Sequence, residues 1–97
     1  RARSDALFAC FPGGGAEYGA HTDGGGTSLC TLTTIVYANP AWGAEDGGEL
    51  RMLDKQKGEW RYVTPIAGRV AIFRADTVVH KVTPAHRQRF ALTCWWF

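Results

Sequence analysis

Long apolar runs are missing from these 97 residues: none approaches the roughly 20 that a membrane-spanning helix needs. Blocks of like charge are missing too. Eleven Lys and Arg face nine Asp and Glu for a net charge of +2, and they are spread along the chain, so binding to nucleic-acid phosphates has no support. Cysteine is scarce and odd in number. Cys10, Cys30 and Cys94 contain no C-x-x-C pair, so neither a disulfide framework nor a thiolate zinc site follows. A reducing, intracellular compartment, cytoplasmic or nuclear, is expected. Helical periodicity is absent as well: no eleven-residue stretch carries the i, i+3, i+4, i+7 pattern, and only 41–45 reads as a helical turn. Disorder is excluded by an apolar fraction of 45% against 21% charged. The chain is long enough for one domain, and both ends, Arg1 and Trp95-Trp96-Phe97, read as cut from something longer.

What is abundant is punctuation. Pro12-Gly13-Gly14-Gly15, Gly24-Gly25-Gly26, Asn39-Pro40, Gly47-Gly48, Pro65 with Gly68, and Pro84 break the chain into segments of about ten residues. The segments are rich in β-branched and aromatic residues, and 7–11, 29–38, 49–53, 60–63, 69–73, 78–83 and 89–96 are predicted as strands. Many short strands with glycine turns mean a mainly β sandwich or barrel, and the length favours a jelly roll over an immunoglobulin-type sandwich. The outward side of strands such as 29–36 is too apolar to face water, so helices outside these residues are expected to cover it. Trp42 and Trp60 are expected to pack at strand ends, Gly47-Gly48 to form a turn with positive φ, and the three cysteines to be buried.

His21-Thr22-Asp23 sets an imidazole and a carboxylate two apart, which on an extended strand puts both on one face. His80 follows 57 residues after Asp23 in Val78-Val79-His80-Lys81-Val82, where antiparallel pairing can bring it opposite. Two neutral imidazoles and one carboxylate make the facial triad that holds non-haem Fe(II) and leaves positions open. H-x-D also arises by chance, and a histidine in a β-run is more often packed or exposed than a ligand, so the pattern alone leaves both readings open. Arg89 begins the alternation Arg89, Ala91, Thr93, Trp95, a face that can hold a carboxylate bidentately. Tyr37 ends the Thr31, Thr33, Ile35, Tyr37 face, with a phenol that can donate to the same carboxylate. His86 and Asp76 sit in turn-like settings and are expected to be a solvated histidine and a turn residue.

Together these strings resemble a known family. Ala9-Cys10-Phe11-Pro12-Gly13, Tyr18-Gly19-Ala20-His21-Thr22-Asp23, Ile35-Val36-Tyr37-Ala38-Asn39, Trp42, Gly47-Gly48-Glu49-Leu50-Arg51 and Arg89-Phe90-Ala91-Leu92-Thr93-Cys94-Trp95-Trp96-Phe97 are similar, in order, to the iron- and 2-oxoglutarate-dependent prolyl 4-hydroxylases. The hypoxia-inducible factor prolyl hydroxylases are the nearest branch. Arg89 itself points there, since the collagen-type enzymes generally place Lys at that position.

The resemblance implies a double-stranded β-helix whose flanking helices are missing, and residues 1–97 as a catalytic-domain fragment of a longer chain. It implies His21, Asp23 and His80 as iron ligands and Arg89 as the partner of the 2-oxoglutarate C5 carboxylate. Tyr37 and Thr93 would bond the same co-substrate, with Ile35, Trp95 and Phe11 walling its pocket. Fe(II), 2-oxoglutarate, O2 and ascorbate are the implied cofactors, and a protein or peptide with a target proline the implied partner, with no nucleic acid or membrane involved. Two departures stand out: Phe11 occupies a place where that branch usually has Tyr, and Gly24-Gly25-Gly26 replaces a more polar loop. The same chemistry on a non-prolyl or small-molecule substrate, a cupin-type enzyme without 2-oxoglutarate, and a non-catalytic jelly-roll binding domain are the rival readings.

Overall fold

The computed structural model describes residues 3–23 and 32–97. Eight strands appear in them: β1 (Leu7–Phe11), β2 (Ala16–His21), β3 (Leu32–Tyr37), β4 (Leu50–Asp54), β5 (Glu59–Val63), β6 (Val70–Arg74), β7 (His80–Ala85) and β8 (Arg89–Trp96). They form two four-stranded antiparallel sheets, ordered β1-β8-β3-β6 and β2-β7-β4-β5. Successive strands thus fall mostly in different sheets, which is the jelly-roll arrangement expected from the sequence. The inward sides meet in a small core of Ile35, Tyr37, Leu50, Ala71, Phe73 and Ala91, with Met52, Val63 and Val78 packed against it.

Pairing carries the site. β8 lies between β1 and β3, so that Leu7 faces Thr93 on one side and Ile35 faces Thr93 on the other. In the second sheet β2 pairs β7, and His21 stands directly opposite His80. Alternation along β3 buries Thr33, Ile35 and Tyr37 and leaves Val36 outside, a period-two pattern that the strand geometry requires.

Several expectations need correction. Segment 16–21, not predicted as a strand, is β2; its glycine-interrupted, largely exposed residues gave no β signal, and pairing with β7 makes it one. The seventh strand begins at His80 instead of 78 and runs through Pro84 to Ala85. The helical turn is a 3-10 turn at Ala44–Asp46, with the Gly43 amide donating to Asp46 Oδ2 at 2.8 Å. Cys10 is exposed and Cys94 half-buried, because both fall on the outward phase of their strands, so neither is the buried apolar group expected. Cys30, Thr31 and Gly24-Gly25-Gly26 lie outside the described residues. Gly47 and Gly48 do adopt positive φ, 64° and 61°, Trp42 is buried, and Trp60 is half-buried with the Lys81 ammonium 4.4 Å from its ring centroid. No helix among the described residues is long and apolar enough to cross a membrane.

The outward side of the β1-β8-β3-β6 sheet is apolar. Phe8, Val36, Val70, Ile72 and Leu92 are all exposed, Ile72 at 64%. A contiguous face of this kind drives association. Ile72→Lys, on the edge strand β6, is expected to change stability by no more than about 0.5 kcal/mol while reducing self-association and binding of a hydrophobic dye. Sedimentation velocity and dye fluorescence across a concentration series measure both, and an unchanged sedimentation profile would show that this face is inert.

Candidate metal centre and co-substrate pocket

His21 closes β2 and His80 opens β7, so strand pairing brings the two rings together with centroids 4.2 Å apart. Asp23 does not lie on an extended continuation of β2, as expected from H-x-D spacing; it follows the strand end, tied by its amide to the Ala75 carbonyl at 2.9 Å. The turn nevertheless delivers its carboxylate between the histidines: Oδ1 is 3.5 Å from His21 Nε2 and 3.4 Å from His80 Nε2. One ligand atom from each residue falls within 4.8 Å of the others.

The hydrogen bonds fix which nitrogens are available. His21 Nδ1 lies 2.7 Å from the Gly19 carbonyl and His80 Nδ1 lies 3.1 Å from the Val78 carbonyl. A carbonyl oxygen only accepts, so Nδ1 carries the proton in each ring and Nε2 turns its lone pair inward. Two lone pairs and a carboxylate oxygen then converge with no donor between them. That arrangement is repulsive unless a cation sits among the three, and the donor set of two imidazoles and one carboxylate fits non-haem iron.

Without a metal, the cation that can relieve this repulsion is a proton on His80 Nε2: burial pushes the Asp23 carboxyl up, but hydrogen bonds from a His80 so protonated, from Thr33 and from Trp95, with the charge on His80, outweigh it and bring it down to about 2. The clearest of these bonds is from Thr33 Oγ1, which donates to Asp23 Oδ2 at 2.6 Å. The Trp95 indole N–H is buried beside the carboxylate without a well-formed hydrogen bond, so its share is the weakest. Thr33, read from the sequence only as a face residue, therefore orients the carboxylate while leaving Oδ1 to the centre. Thr33→Val keeps the shape and removes this bond. Metal affinity is expected to fall about 10–100-fold, as read by Mn(II) titration; an unaltered constant would assign Thr33 to packing alone.

A cavity of about 210 Å³ opens from this cluster between the sheets, and its lining includes Phe11, Ile35, Arg89, Ala91, Thr93 and Trp95 with His21, Asp23 and His80. The alternation of β8 places Arg89, Ala91, Thr93 and Trp95 along it, as the sequence spacing predicts. Arg89 is 3% exposed and makes no ion pair among the described residues. Its one side-chain hydrogen bond there is from Nε to the Gly48 carbonyl, 2.7 Å. Beside it the Tyr37 hydroxyl is buried and lacks a partner of acceptable geometry. Burial lowers the Arg89 guanidinium, opposed by Tyr37, and raises the Tyr37 phenol, opposed by the charge of Arg89. A buried cation with no counter-charge and an unspent phenolic donor, side by side, define a receptor for a carboxylate.

Across these residues the family model of the 2OG-Fe(II) oxygenase superfamily matches 6–97. The chain belongs to that superfamily. Among similar 2OG-Fe(II) oxygenases, the mouse prolyl hydroxylase EGLN3 is 39% identical over 98 residues, covering 98% of this chain and 41% of that protein. A hypoxia-inducible factor prolyl hydroxylase of Caenorhabditis elegans is 38% identical over 96 residues, covering 97% of this chain and 13% of its own length. The chain thus spans less than half of either relative. A solved prolyl hydroxylase from Trichoplax adhaerens, in complex with a hypoxia inducible factor oxygen degradation domain peptide fragment, superposes with a TM-score of 0.93 at 31% identity, over 100% of this chain and 44% of that one. The Pseudomonas putida prolyl-4-hydroxylase gives 0.85 at 36% identity, over 94% and 50%. The fold of this chain is accordingly the jelly roll of the prolyl hydroxylases.

Sequence reasoning missed Tyr18 and Leu7, which also line the cavity; both are more than half exposed, and the Tyr18 ring meets His21 at a tilt, centroids 4.3 Å apart. Tyr18 had only its nearness to the H-x-D string as a signal, and Leu7 only its strand phase with Phe11. His86 is exposed, as expected, and Asp76 pairs with Arg74 at 3.0 Å in a turn.

Proposed function

We propose that residues 1–97 are the catalytic core of a longer Fe(II)- and 2-oxoglutarate-dependent dioxygenase that hydroxylates a proline in a protein or peptide, releasing succinate and CO2. The observation that carries this reading is a single cavity with two complementary ends: three converging acceptors for a cation, and the unpaired buried guanidinium of Arg89. A dicarboxylate that chelates a metal at one end and needs a cation at the other fits both. The prolyl specificity rests on the relatives, and the peptide bound to the Trichoplax adhaerens enzyme supports a polypeptide substrate.

In this mechanism His21, Asp23 and His80 would hold the metal. Bound Fe(II) supplies, with 2-oxoglutarate and O2, the oxidising power to insert one oxygen atom into an unactivated C–H bond while the second oxygen goes to succinate. Arg89 anchors the far carboxylate, with Tyr37 and Thr93 as hydroxyl donors. Phe11, Ile35 and Trp95 keep water from the reacting centre. Phe11 brings a ring without a hydroxyl, so Arg89 and Tyr37 carry the polar contacts at that end. Ascorbate is expected to sustain turnover as a reductant, and the free Cys10 and Cys94 thiols agree with a reducing, cytoplasmic or nuclear location.

The test is succinate formation from 2-oxoglutarate by anaerobically Fe(II)-loaded protein after admission of O2, with and without a proline-containing peptide. Peptide-stimulated release with one oxygen atom gained at proline is the expected result. Absence of succinate despite stoichiometric iron binding would overturn the dioxygenase reading; oxygen recovered on another residue would overturn the prolyl assignment.

A further inference from the structure

We propose that Arg87 is a positioning residue for the co-substrate end of the pocket, strapping the β3–β4 connection to the β7–β8 turn so that the Gly48 carbonyl aims Arg89. The inference rests on the reading of Arg89 as the carboxylate anchor. Arg89 has unusually few constraints for a buried cation. The rings of Phe11 and Tyr37 each lie 5.2 Å from its Cζ, and aromatic faces hold a guanidinium without fixing the direction of its fork. Direction comes from the Nε bond to Gly48. With Nε committed there, the edge carrying the two Nη groups is what remains to grip a carboxylate bidentately.

The place of Gly48 is therefore the question. It has φ of 61°, and a Cβ there would stand 3.0 Å from Arg89 Cδ and 3.2 Å from Trp42 Cζ2, so the backbone passes as close to the arginine as a glycine allows. It belongs to a connection whose only regular feature is the 3-10 turn. Gly48 N donates to the Pro84 carbonyl at 3.0 Å, and Trp42 Nε1 donates to the Gly47 carbonyl at 2.9 Å.

Arg87 grips the remainder. Its Nη2 donates to the Pro40 carbonyl at 2.7 Å, and its Nη1 to the Ala41 carbonyl at 3.1 Å and to Asp46 Oδ2 at 3.4 Å. Its Cζ lies 4.9 Å from the Trp42 ring centroid. One side chain thus ties both limbs of the connection, and the indole that holds Gly47, to a point two residues before Arg89. Arg87 does not line the cavity, so its effect on a ligand has to pass through Gly48 and Arg89.

Arg87→Met keeps the stem and removes the fork. Dissociation constants are read for Mn(II), by electron paramagnetic resonance of the free ion, and for 2-oxoglutarate in the presence of saturating Mn(II), by calorimetry. The expected result is about a tenfold weaker 2-oxoglutarate constant with the Mn(II) constant unchanged. Trp42→Phe, which deletes the bond to Gly47 and keeps the ring, should shift 2-oxoglutarate in the same direction and decides the matter if Arg87→Met does not fold. An unchanged 2-oxoglutarate constant in the folded variants overturns the role of Arg87 and leaves the proposed function standing. Equal weakening of both ligands overturns it as well, since that is the mark of general loosening. If the parent protein binds Mn(II) but not 2-oxoglutarate, the proposed function and this inference fall together.

Discussion

Asp23→Ala is expected to abolish stoichiometric iron binding and all succinate formation. The carboxylate supplies the only formal negative charge in the cluster, and its Oδ1 is the vertex shared by both histidines. Losing an anionic partner from a half-buried site costs about 3–5 kcal/mol, which corresponds to at least about a hundredfold in affinity. Competition against a colorimetric chelator measures this directly, and near-normal iron affinity would mean that the three residues do not act as one site. The pH dependence should separate the members of the cluster. Asp23, lowered to about 2, stays ionised through the acid range in which metal is lost. Loss of iron on mild acidification is therefore not the titration of Asp23. The stability that Asp23 contributes to the metal-free protein is complete above its ordinary value of 3.8 and disappears as pH falls through about 2.

Arg89→Ala should leave iron binding intact and weaken 2-oxoglutarate by on the order of a hundredfold, since truncating one partner of a buried charge pair costs about 2–5 kcal/mol. Arg89→Lys retains a charge but loses both the Nε bond to Gly48 and the planar fork. It should recover only part of the loss. Thermal unfolding provides a second readout: added 2-oxoglutarate raises the Tm of the Mn(II)-loaded parent protein by mass action, and should not raise that of the alanine variant at the same concentration. An equal shift in both would move the carboxylate anchor elsewhere in the cavity.

Much of this site was legible because its parts obey the periodicity of strands. Arg89, Ala91, Thr93 and Trp95 share a face for the same reason that any alternate residues on a strand do, and Thr33, Ile35 and Tyr37 follow the same rule on β3. The H-x-D pair was found for a reason that the structure revises: Asp23 reaches His21 by a turn after β2, not along it. Segment 16–21 escaped recognition because its strand character comes from β7 across the sheet and not from its own side chains. The outward placement of Cys10 and Cys94 depended on strand phase, which composition does not carry. Contributions made by main-chain atoms, such as the Gly48 carbonyl on Arg89, leave no mark in residue type beyond a glycine pair.

The pairing of His21 with His80 also orders events in time. Neither histidine has its partner until β2 and β7, strands from opposite ends of the chain, have met, and the wall of the cavity likewise waits on β1 joining β8. Such distant contacts close late because the intervening chain must first surrender its freedom. A half-folded chain of this topology therefore has strands and turns but no metal centre. Iron would report completion: it would bind tightly only once β2 and β7 have paired, and by binding then would draw unfolded molecules forward.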